Sequence, residues 1–364
     1  MKVGILGGGQ LGRMLALAGY PLDLTFRLFD PAPDATAGQV APLIDGTYDD
    51  ASALQRFADG VDVITYEWEN VPVATATALQ AYAAVYPPPQ ALEVAQDRFD
   101  EKSFFRSLGI PTPPFVAVDD LASLQAALAS LGYPAVLKTR RMGYDGKGQQ
   151  VLRTPSDVDR AWAALGGTPL ILEGFVPFDR ELSILAVRSS NGETTTYPLV
   201  ENHHAEGILR LSLAPAPGDV TALQAMAEDY AQRVLQALEY VGVLAIELFQ
   251  VGDRLIVNEM APRVHNSGHW TIEGAMTSQF ANHLRAILGL PLGSTATPAP
   301  CAMLNLIGTL PDTRAILEVP GAALHLYGKS PRPGRKIGHV TLRGEDSASF
   351  EERLTRLQDL IRNA

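Results

Sequence analysis

The chain has 364 residues, of which 46% are hydrophobic and 19% are charged, and its net charge is −11. Length and composition predict a globular protein of two or three domains, and the acidic balance gives no electrostatic reason to expect nucleic-acid binding. The lone cysteine, Cys301, excludes an internal disulfide and suits a reducing compartment.

The N-terminal part of the chain alternates predicted strands and helices. Strands are expected at 2–7, 24–30 and 59–66, and helices at 10–19, near 50–58 and near 91–108. This β-α-β order predicts a parallel sheet with crossover helices. The first ten residues are too glycine-rich for a signal peptide, and no apolar run approaches the roughly 20 residues of a spanning helix. We therefore expect a cytoplasmic protein without a membrane partner.

The rest of the chain predicts a mixed α/β and α+β architecture. Residues 115–175 alternate strands and helices, and residues 181–213 suggest antiparallel strands around the turn Asn191-Gly192. The later elements are expected to be a helix at about 219–239, a hairpin at 243–260, a helix at 277–288, a linker at 291–300 and an α+β unit at 301–364.

A glycine turn near the N-terminus suggests a dinucleotide site. Residues 7–12 (GGGQLG) fit the G-x-G-x-x-G pattern between a predicted strand and a predicted helix. Asp30 closes the second strand near the spacing expected for a ribose-binding acid. Alone, this pattern predicts an NAD(P)-dependent oxidoreductase, but the same turn can hold any phosphate or none. A second nucleotide site further along the chain weighs against NAD.

That second site begins at Lys138, which ends a predicted strand. The loop after it places three glycines among basic residues, and its backbone N–H groups could cover a triphosphate. It lacks the G-K-[ST] ending of a Walker loop, and an exposed hairpin loop is the alternative. The loop residues are Gly143, Tyr144, Asp145, Gly146, Lys147, Gly148 and Gln149.

An apolar strand that runs into a glycine, at 170–176, suits a hinge whose backbone reads an adenine edge. Glu173 would then act through its carbonyl, and Glu181 could accept hydrogen bonds from ribose hydroxyls. Taken singly, each acid is better explained as a surface residue.

The hairpin at 243–260 carries the strongest functional signal. Glu247 lies inside one apolar strand, and Asn258 and Glu259 lie in the next. Buried carboxylates are costly unless they are neutralised, so these residues suggest a divalent cation held by oxygens. A three-residue loop at 252–254 would set Glu247 opposite Glu259, whereas a two-residue turn would set it opposite Asn258 and count against the metal. Two solvent-facing glutamates on an edge hairpin are the alternative.

The lysine strand, glycine flap, hinge strand and acid hairpin, in this order, resemble the ATP-grasp superfamily. Longer segments are similar to the 5-(carboxyamino)imidazole ribonucleotide synthases of purine biosynthesis. They include GGGQLGRM at 7–14, YEWENVP at 66–72, QDRFDEK at 96–102, RRMGYDGKGQ at 140–149 and NEMAPRVHNSGHWTIEGAMTSQF at 258–280. Met142 departs from the family pattern, in which we expect glycine at this position.

The resemblance implies an ATP-grasp fold in three domains. A Rossmann-like parallel-sheet domain would cover 1–95, the ATP-grasp domain 96–292 with a mobile lid at about 115–175, and a small α+β domain 293–364. It also implies a homodimer.

The resemblance further implies a carbon–nitrogen ligase. ATP would phosphorylate bicarbonate, and the amine of 5-aminoimidazole ribonucleotide would capture the carboxyl group from carboxyphosphate or from released carbon dioxide. Magnesium, with manganese as an alternative, would assist, and neither biotin nor NAD is expected.

The resemblance assigns roles to particular residues. ATP would contact Arg98, Lys138, Gly143 to Gln149, Glu173, Gly174, Phe175, Val176, Glu181, His204, Asn258 and Glu259. The metal would be held by Glu247 and Glu259. The reacting groups would meet Arg263, His265, Asn266, Tyr144 and Asp145. The ribonucleotide would contact Gln10, Leu11, Glu67, Asn70, Asp145, Lys329, Arg335 and Lys336.

Simpler roles remain open for several of these residues. Arg263 could instead pair with a core acid, and the basic cluster that includes Lys329 could be a solvated face. His265 could be structural, and for His269 we favour that interpretation. The competing functions are a formate-dependent glycinamide ribonucleotide transformylase, an NAD(P)-dependent oxidoreductase and a non-catalytic binding module.

Overall fold

The computed structural model describes residues 1–143, 146–344 and 347–363, with backbone only at 347 and 348. The strands are β1 (Lys2–Leu6), β2 (Thr25–Asp30), β3 (Leu43–Asp45), β4 (Val63–Tyr66), β5 (Ala84–Val85), β6 (Phe115–Val118), β7 (Ala135–Thr139), β8 (Gln149–Leu152), β9 (Leu170–Gly174), β10 (Arg180–Arg188), β11 (Thr194–Thr196), β12 (Val200–Ala205), β13 (Ile208–Ala214), β14 (Gly242–Val251), β15 (Arg254–Ala261), β16 (Cys301–Ile307), β17 (Ala322–Leu326) and β18 (Lys336–Arg343). The helices are α1 (Gln10–Gly19), α2 (Ala51–Ala58), α3 (Val73–Leu79), α4 (Pro89–Ala95), α5 (Arg98–Ser107), α6 (Leu121–Leu131), α7 (Val158–Leu165), α8 (Thr221–Ala237), α9 (Thr271–Gly274), α10 (Gln279–Ile287), α11 (Thr313–Leu317) and α12 (Ser347–Arg362).

The N-terminal sheet is parallel, as the alternation of strands and helices predicts. Its strand order is β3-β2-β1-β4-β5, and the pairs within it are parallel. Apolar residues of β1 and β2, such as Ile5 and Phe29, are fully buried because helices cover both faces. The carboxyl ends of these strands lie at one edge, where open sheets bind ligands.

The predicted single helix near 91–108 is wrong. The structure has two helices, α4 and α5, separated at Gln96 and Asp97. Asp97 adopts an extended backbone and its side chain accepts a hydrogen bond from the Phe99 N–H. An aspartate in this position caps a new helix, and that local preference outweighs the apolar periodicity across the break.

Residues 115–174 form a separate layer. The antiparallel sheet β6-β9-β7-β8 packs against α6 and α7 around its own apolar core, which includes Leu124, Leu137 and Leu172. This is the segment that the sequence suggests as a lid.

The largest sheet joins the middle and the end of the chain. Its order is β15-β14-β10-β12-β13-β16-β18-β17, with β11 paired to β10. Strands β16 to β18, from the predicted C-terminal α+β unit, join this sheet through pairing of β13 with β16. A shared core connects it to the N-terminal sheet through residues such as Leu15, Val243 and Leu284.

The predicted three-residue loop of the acid hairpin is wrong, yet the predicted pairing of the acids is correct. Val251 pairs with Arg254 across a two-residue turn, as expected for a Gly-Asp pair whose glycine has φ of 60°. A β-bulge then shifts the register, so that Glu247 lies opposite Glu259 and Asn258 is the extra residue. An inserted residue moves the side chains that follow it to the other face of the strand. The two-residue turn alone would place Glu259 on the face away from Glu247, and the bulge brings it back to the same face.

In the described parts of the chain, no helix combines the length and the apolar character needed to cross a lipid bilayer.

A buried histidine joins three parts of the fold. His283 of α10 lies 2.8 Å from the Thr65 hydroxyl of β4 and accepts a hydrogen bond of 3.1 Å from the Val243 N–H of β14. Burial lowers the pKa of His283 to about 3. The neutral imidazole is therefore the form that the folded protein holds.

Because His283 is buried in its neutral form, we predict that the folded protein is less stable in acid. The unfolded chain protonates His283 below about pH 6.5 while the folded protein does not, so stability is present above that pH and is lost as the pH falls toward 3. When the pH is lowered from 7.5 to 5.0, the free energy of unfolding by urea should fall by about 2 kcal/mol more in the unmodified protein than in His283→Gln. The glutamine variant cannot take up the proton. His203→Gln, at a half-exposed histidine, is the control for removal of an imidazole. Equal losses in the unmodified protein and in His283→Gln would contradict the assignment.

Candidate active site

A cavity of about 1280 Å³ lies where the three sheets meet. Its wall includes the glycine turn before α1, the loop after β4, the layer at 115–174, the acid hairpin and the loop before β18. The predicted site residues on this wall are Gln10, Leu11, Glu67, Asn70, Arg98, Lys138, Gly143, Gly146, Lys147, Gln149, Glu173, Gly174, Phe175, Val176, Glu181, His204, Glu247, Asn258, Glu259, Arg263, His265, Asn266, Lys329, Arg335 and Lys336. One cavity therefore brings together residues predicted for two different nucleotides.

The opposed acids face this cavity and are not solvent-exposed surface groups. The side chain of Glu247 is 21% exposed and that of Glu259 is 36% exposed. Burial, and then the nearby Glu259 carboxylate, raise the pKa of Glu247. Burial opposes ionisation of Glu259 too, but Arg98, whose Nη1 lies 2.5 Å from Oε2, outweighs it and lowers that pKa. The two acids therefore differ, since Glu259 has a close cationic partner in Arg98 while the pKa of Glu247 is raised.

These residues suit a magnesium ion in their donor chemistry. Both acids offer hard oxygen ligands, and the Asn258 amide lies 3.5 Å from Glu247. Among the described residues, no group of three or more His, Cys, Asp or Glu side chains is arranged to hold a metal. Magnesium is commonly bound by one or two carboxylates together with substrate phosphates and water, so a pair is sufficient.

A buried charge network lies beneath the hinge strand. Glu173 is 2% exposed, so its interpretation as a surface residue is wrong. Its carboxylate accepts a hydrogen bond of 2.9 Å from Lys138 and lies 3.4 Å from Lys102 Nζ. Burial lowers the pKa of Lys138, although the Glu173 carboxylate opposes this effect. The sequence reasoning did not single out Lys102, although it lies inside the quoted QDRFDEK segment.

The remaining wall beside the hinge is partly apolar. Phe178 and Phe249 stack with ring centroids 4.7 Å apart and planes 8° from parallel. Val136 also lines the cavity there. Next to this wall, His204 Nδ1 and Glu181 Oε2 lie 2.5 Å apart, so neither is a solvated surface group. Apolar side chains beside a polar pair suit a purine base with its ribose.

The N-terminal glycine turn is filled by a side chain of the protein itself. The N–H groups of Gly9 and Gly12 donate to the Glu67 carboxylate at 3.0 and 3.3 Å. The Gly8 N–H donates to Asp30 at 2.7 Å, so Asp30 holds the turn instead of facing a ribose. Because a carboxylate already occupies the amides that would bind a pyrophosphate, the geometry argues against NAD at this turn.

Basic residues line the wall next to that turn. Lys329 Nζ donates to Gln10 Oε1, and burial lowers the pKa of Lys329. Arg335 and Lys336 line the same wall together with Arg332, which the sequence reasoning missed. In a chain of net charge −11, this concentration of cations marks an anion-binding surface.

Arg263 forms the ion pair that the sequence left open. Its Nη2 lies 2.5 Å from Glu69 Oε2, and both residues line the cavity. His265 Nε2 lies 3.5 Å from Glu247, and burial together with Arg263 lowers the pKa of His265 to about 3. His265 is therefore neutral in the folded protein.

Two further predicted residues are held by neighbouring side chains. The side-chain amide of Asn266 is fixed by reciprocal hydrogen bonds with Asn305. His269 is 1% exposed and lies among aromatic rings, including Tyr327, which agrees with a structural role.

The glycine flap is described in part. Tyr144 and Asp145 lie outside the described residues, and Gly148 lies off the cavity wall, where its carbonyl accepts a hydrogen bond from the Thr139 N–H. Met142 has a φ of 62° and is 64% exposed. Glycine adopts this left-handed backbone without the steric cost that a side chain brings.

Comparison with known proteins agrees with this geometry. Family models match residues 1–96 as a ribonucleotide synthetase preATP-grasp domain, 103–280 as an ATP-grasp domain and 301–353 as a phosphoribosylaminoimidazole carboxylase C-terminal domain. The fold and the site define the protein as an ATP-grasp ligase.

Relatives that match the whole chain identify one family within the ATP-grasp ligases. The chain is 55% identical over 361 residues to N5-carboxyaminoimidazole ribonucleotide synthase of Pseudomonas aeruginosa, covering 99% of each chain. The synthetase structure from Thermus thermophilus is 61% identical with a TM-score of 0.95, covering 99% of this chain and 98% of that one. The Aspergillus clavatus structure, solved with ADP and 5-aminoimidazole ribonucleotide, is 33% identical with a TM-score of 0.93, covering 100% of this chain and 99% of that one. The chain belongs to the N5-carboxyaminoimidazole ribonucleotide synthase family.

The filled glycine turn predicts a specific stability effect. Gly7 has a φ of +103°, and an added Cβ would lie 2.7 Å from the Glu67 side chain, so Gly7→Ala combines backbone strain with displacement of that carboxylate. We expect a loss of about 3 kcal/mol in the free energy of unfolding by urea. Gly60→Ala is the matched control, since Gly60 has a φ of +63° with no atom nearer than 3.7 Å, and it should lose about 1 kcal/mol. Equal losses would show that Glu67 does not fill the turn.

Proposed function

We propose that this chain carboxylates the amine of 5-aminoimidazole ribonucleotide, using ATP and bicarbonate, to give 5-(carboxyamino)imidazole ribonucleotide, ADP and phosphate in purine biosynthesis. The observation that carries the proposal is the shared cavity. An acid pair and the buried Lys138, which suit a nucleoside triphosphate, lie in the same cavity as a basic wall suited to a ribonucleotide phosphate. Family membership supplies the identity of the two nucleotides.

ATP binds along the hinge and the acid hairpin in this account. The apolar part of the wall, which includes Val136 and Phe249, takes the adenine, and the Glu181–His204 pair takes the ribose hydroxyls. Lys138 and Arg98 lie toward the acid pair and offset phosphate charge. Magnesium, with manganese as an alternative, would be held by the acid pair with Asn258 nearby, and when bound it neutralises phosphate oxygens.

The first chemical step joins two anions, so cations must gather them. A bicarbonate oxygen attacks the γ-phosphorus, the bond from that phosphorus to the bridging oxygen breaks, and ADP leaves with the electron pair. Arg263 offers a planar fork for a carboxylate-like anion, and Asn266 offers an amide held in place by Asn305. The product of this step is carboxyphosphate.

The second step forms the carbon–nitrogen bond. The amine nitrogen attacks the carboxyl carbon, either in carboxyphosphate or in carbon dioxide released from it, phosphate leaves, and the nitrogen loses a proton. Lys329, Arg332, Arg335 and Lys336 bind the ribonucleotide phosphate, while Gln10, Leu11, Glu67 and Asn70 border its base. The flap, with Tyr144 and Asp145, would shelter the carboxyl donor from water.

Four further features belong to this proposal: the division at 1–95, 96–292 and 293–364, the movement of the 115–175 layer as a lid, the homodimer and the cytoplasmic location. Family membership supports the first three, and the sequence supports the cytoplasmic location. Biotin has no part in the proposed reaction.

Substrate dependence tests the proposal directly. ADP release, measured by a coupled assay, should require both bicarbonate and 5-aminoimidazole ribonucleotide. Release that is supported by formate with glycinamide ribonucleotide would indicate the transformylase instead. The melting temperature should rise with ADP and magnesium, and a rise with NAD alone would indicate the oxidoreductase.

Removal of one acid charge tests the metal role. Glu259→Gln keeps the shape of the side chain but removes a ligand charge, so turnover should fall by at least about a thousandfold with no loss of the folded state. Circular dichroism and the unfolding midpoint check the fold. Glu318→Gln, at an exposed acid directly after α11, is the control and should keep the activity of the unmodified protein. Retention of activity in Glu259→Gln would contradict the role.

A further inference from the structure

Helix α5 presents one face to the strand that carries the second acid. Arg98, Glu101 and Lys102 are three and four residues apart, so their side chains project from the same side of the helix. Strand β15 is at the edge of the large sheet, and α5 packs against it. An edge strand has backbone groups that no neighbouring strand can pair. The helix is therefore placed to bond them.

Two of these side chains bond the backbone on either side of Glu259. Lys102 Nζ donates to the Asn258 carbonyl at 2.7 Å, and the Met260 N–H donates to Glu101 Oε1 at 2.7 Å. Asn258 is the extra residue of the bulge. The contacts thus hold the backbone at the point where the register shifts.

Both side chains are deeply buried, Lys102 at 0% and Glu101 at 2% exposure. Apolar residues of similar volume can replace buried ionisable groups at little or no cost to stability, so the presence of two such groups here is weakly explained by stability alone. Lys102 lies 3.4 Å from Glu173, which offsets its charge, and burial raises the pKa of Glu101 to about 8. Glu101 and Lys102 are better explained by the backbone groups that they bond.

Loss of the bulge has a defined geometric result. With the observed two-residue turn and no extra residue, Asn258 would lie opposite Glu247 and Glu259 would move to the other face of the hairpin. The cavity would then contain one acid of the pair. Neither Glu101 nor Lys102 is among the described residues that line the large cavity, so both act through the backbone of β15.

We propose that Glu101 and Lys102 are positioning residues that fix the β-bulge at Asn258 and thereby keep Glu259 on the same face as Glu247. The inference rests on the proposed function, because it takes the two acids as the magnesium ligands. The inference predicts that loss of either contact weakens magnesium binding. Glu101→Gln should not show this defect, since its amide oxygen still accepts a hydrogen bond from the Met260 N–H.

The test compares Glu101→Leu, Lys102→Met and Glu101→Gln by two measurements. One is the rise in melting temperature when magnesium is added to protein saturated with ADP. The other is the magnesium concentration that gives half-maximal ADP release. Glu101→Leu and Lys102→Met should lose at least half of the temperature rise. They should also need about tenfold more magnesium for half-maximal ADP release, which is the usual effect of removing a group that orients a metal ligand. Glu101→Gln should stay within about twofold of the unmodified protein, since it keeps the orienting acceptor.

A matched control removes a different contact to the same strand. Tyr230 on α8 lies with its hydroxyl 3.5 Å from the Leu255 carbonyl, away from the bulge, so Tyr230→Phe should keep the magnesium requirement. Unchanged magnesium responses in folded Glu101→Leu and Lys102→Met would overturn the inference. Failure of both variants to fold would also overturn it, because the pair would then serve stability.

The two proposals can fail separately. Unmodified protein that shows the magnesium-dependent temperature rise but releases no ADP with bicarbonate and 5-aminoimidazole ribonucleotide would contradict the proposed function. The temperature measurement would still decide the role of the bulge.

Discussion

The chemistry of this cavity depends on the opposition of two carboxylates on adjacent strands. Burial and mutual repulsion disfavour two negative charges in this position, and the raised pKa of Glu247 records that cost. Arg98 compensates Glu259, whereas the raised pKa of Glu247 shows that the charge of this second acid is less well compensated. In the proposed function, a divalent cation held by the acid pair would offset this cost when the triphosphate binds.

In the proposed function, the rest of the fold brings a second nucleotide to that pair. The parallel sheet supplies a glycine turn whose amides are already bonded to Glu67, so a motif typical of dinucleotide binding serves here as a wall of the cavity. Strands β16 to β18 extend the large sheet and carry the basic loop to the same place, where Lys329 bonds Gln10. In the proposed function, these cations from distant parts of the chain would hold three anions together: a triphosphate, a one-carbon acid and a ribonucleotide phosphate.

Local sequence patterns were sufficient for much of this arrangement. The parallel sheet, the hinge strand and the two acids follow from periodicity and from the cost of burying charge. The break at Asp97 and the bulge at Asn258 did not follow, because each depends on a few hydrogen bonds that periodicity does not report. Sequence reasoning adds one residue to the turn and omits the extra residue of the bulge. These two errors shift the register in opposite directions, so the predicted pairing of Glu247 with Glu259 is still correct.

Long-range pairs were also beyond local reasoning. Arg263 with Glu69, and Lys102 with Glu173, join residues far apart in the chain, and only the packed fold shows which acid meets which base. The spacing of Arg98, Glu101 and Lys102 is a signal that could have been used, since residues three and four apart on a helix face one neighbour.

The most direct test of the metal site is anomalous diffraction from crystals grown with ADP and manganese in place of magnesium. The account predicts an anomalous peak between the carboxylates of Glu247 and Glu259 and the nucleotide phosphates. Phosphates in density with the two acids directed apart, and no peak between them, would contradict it.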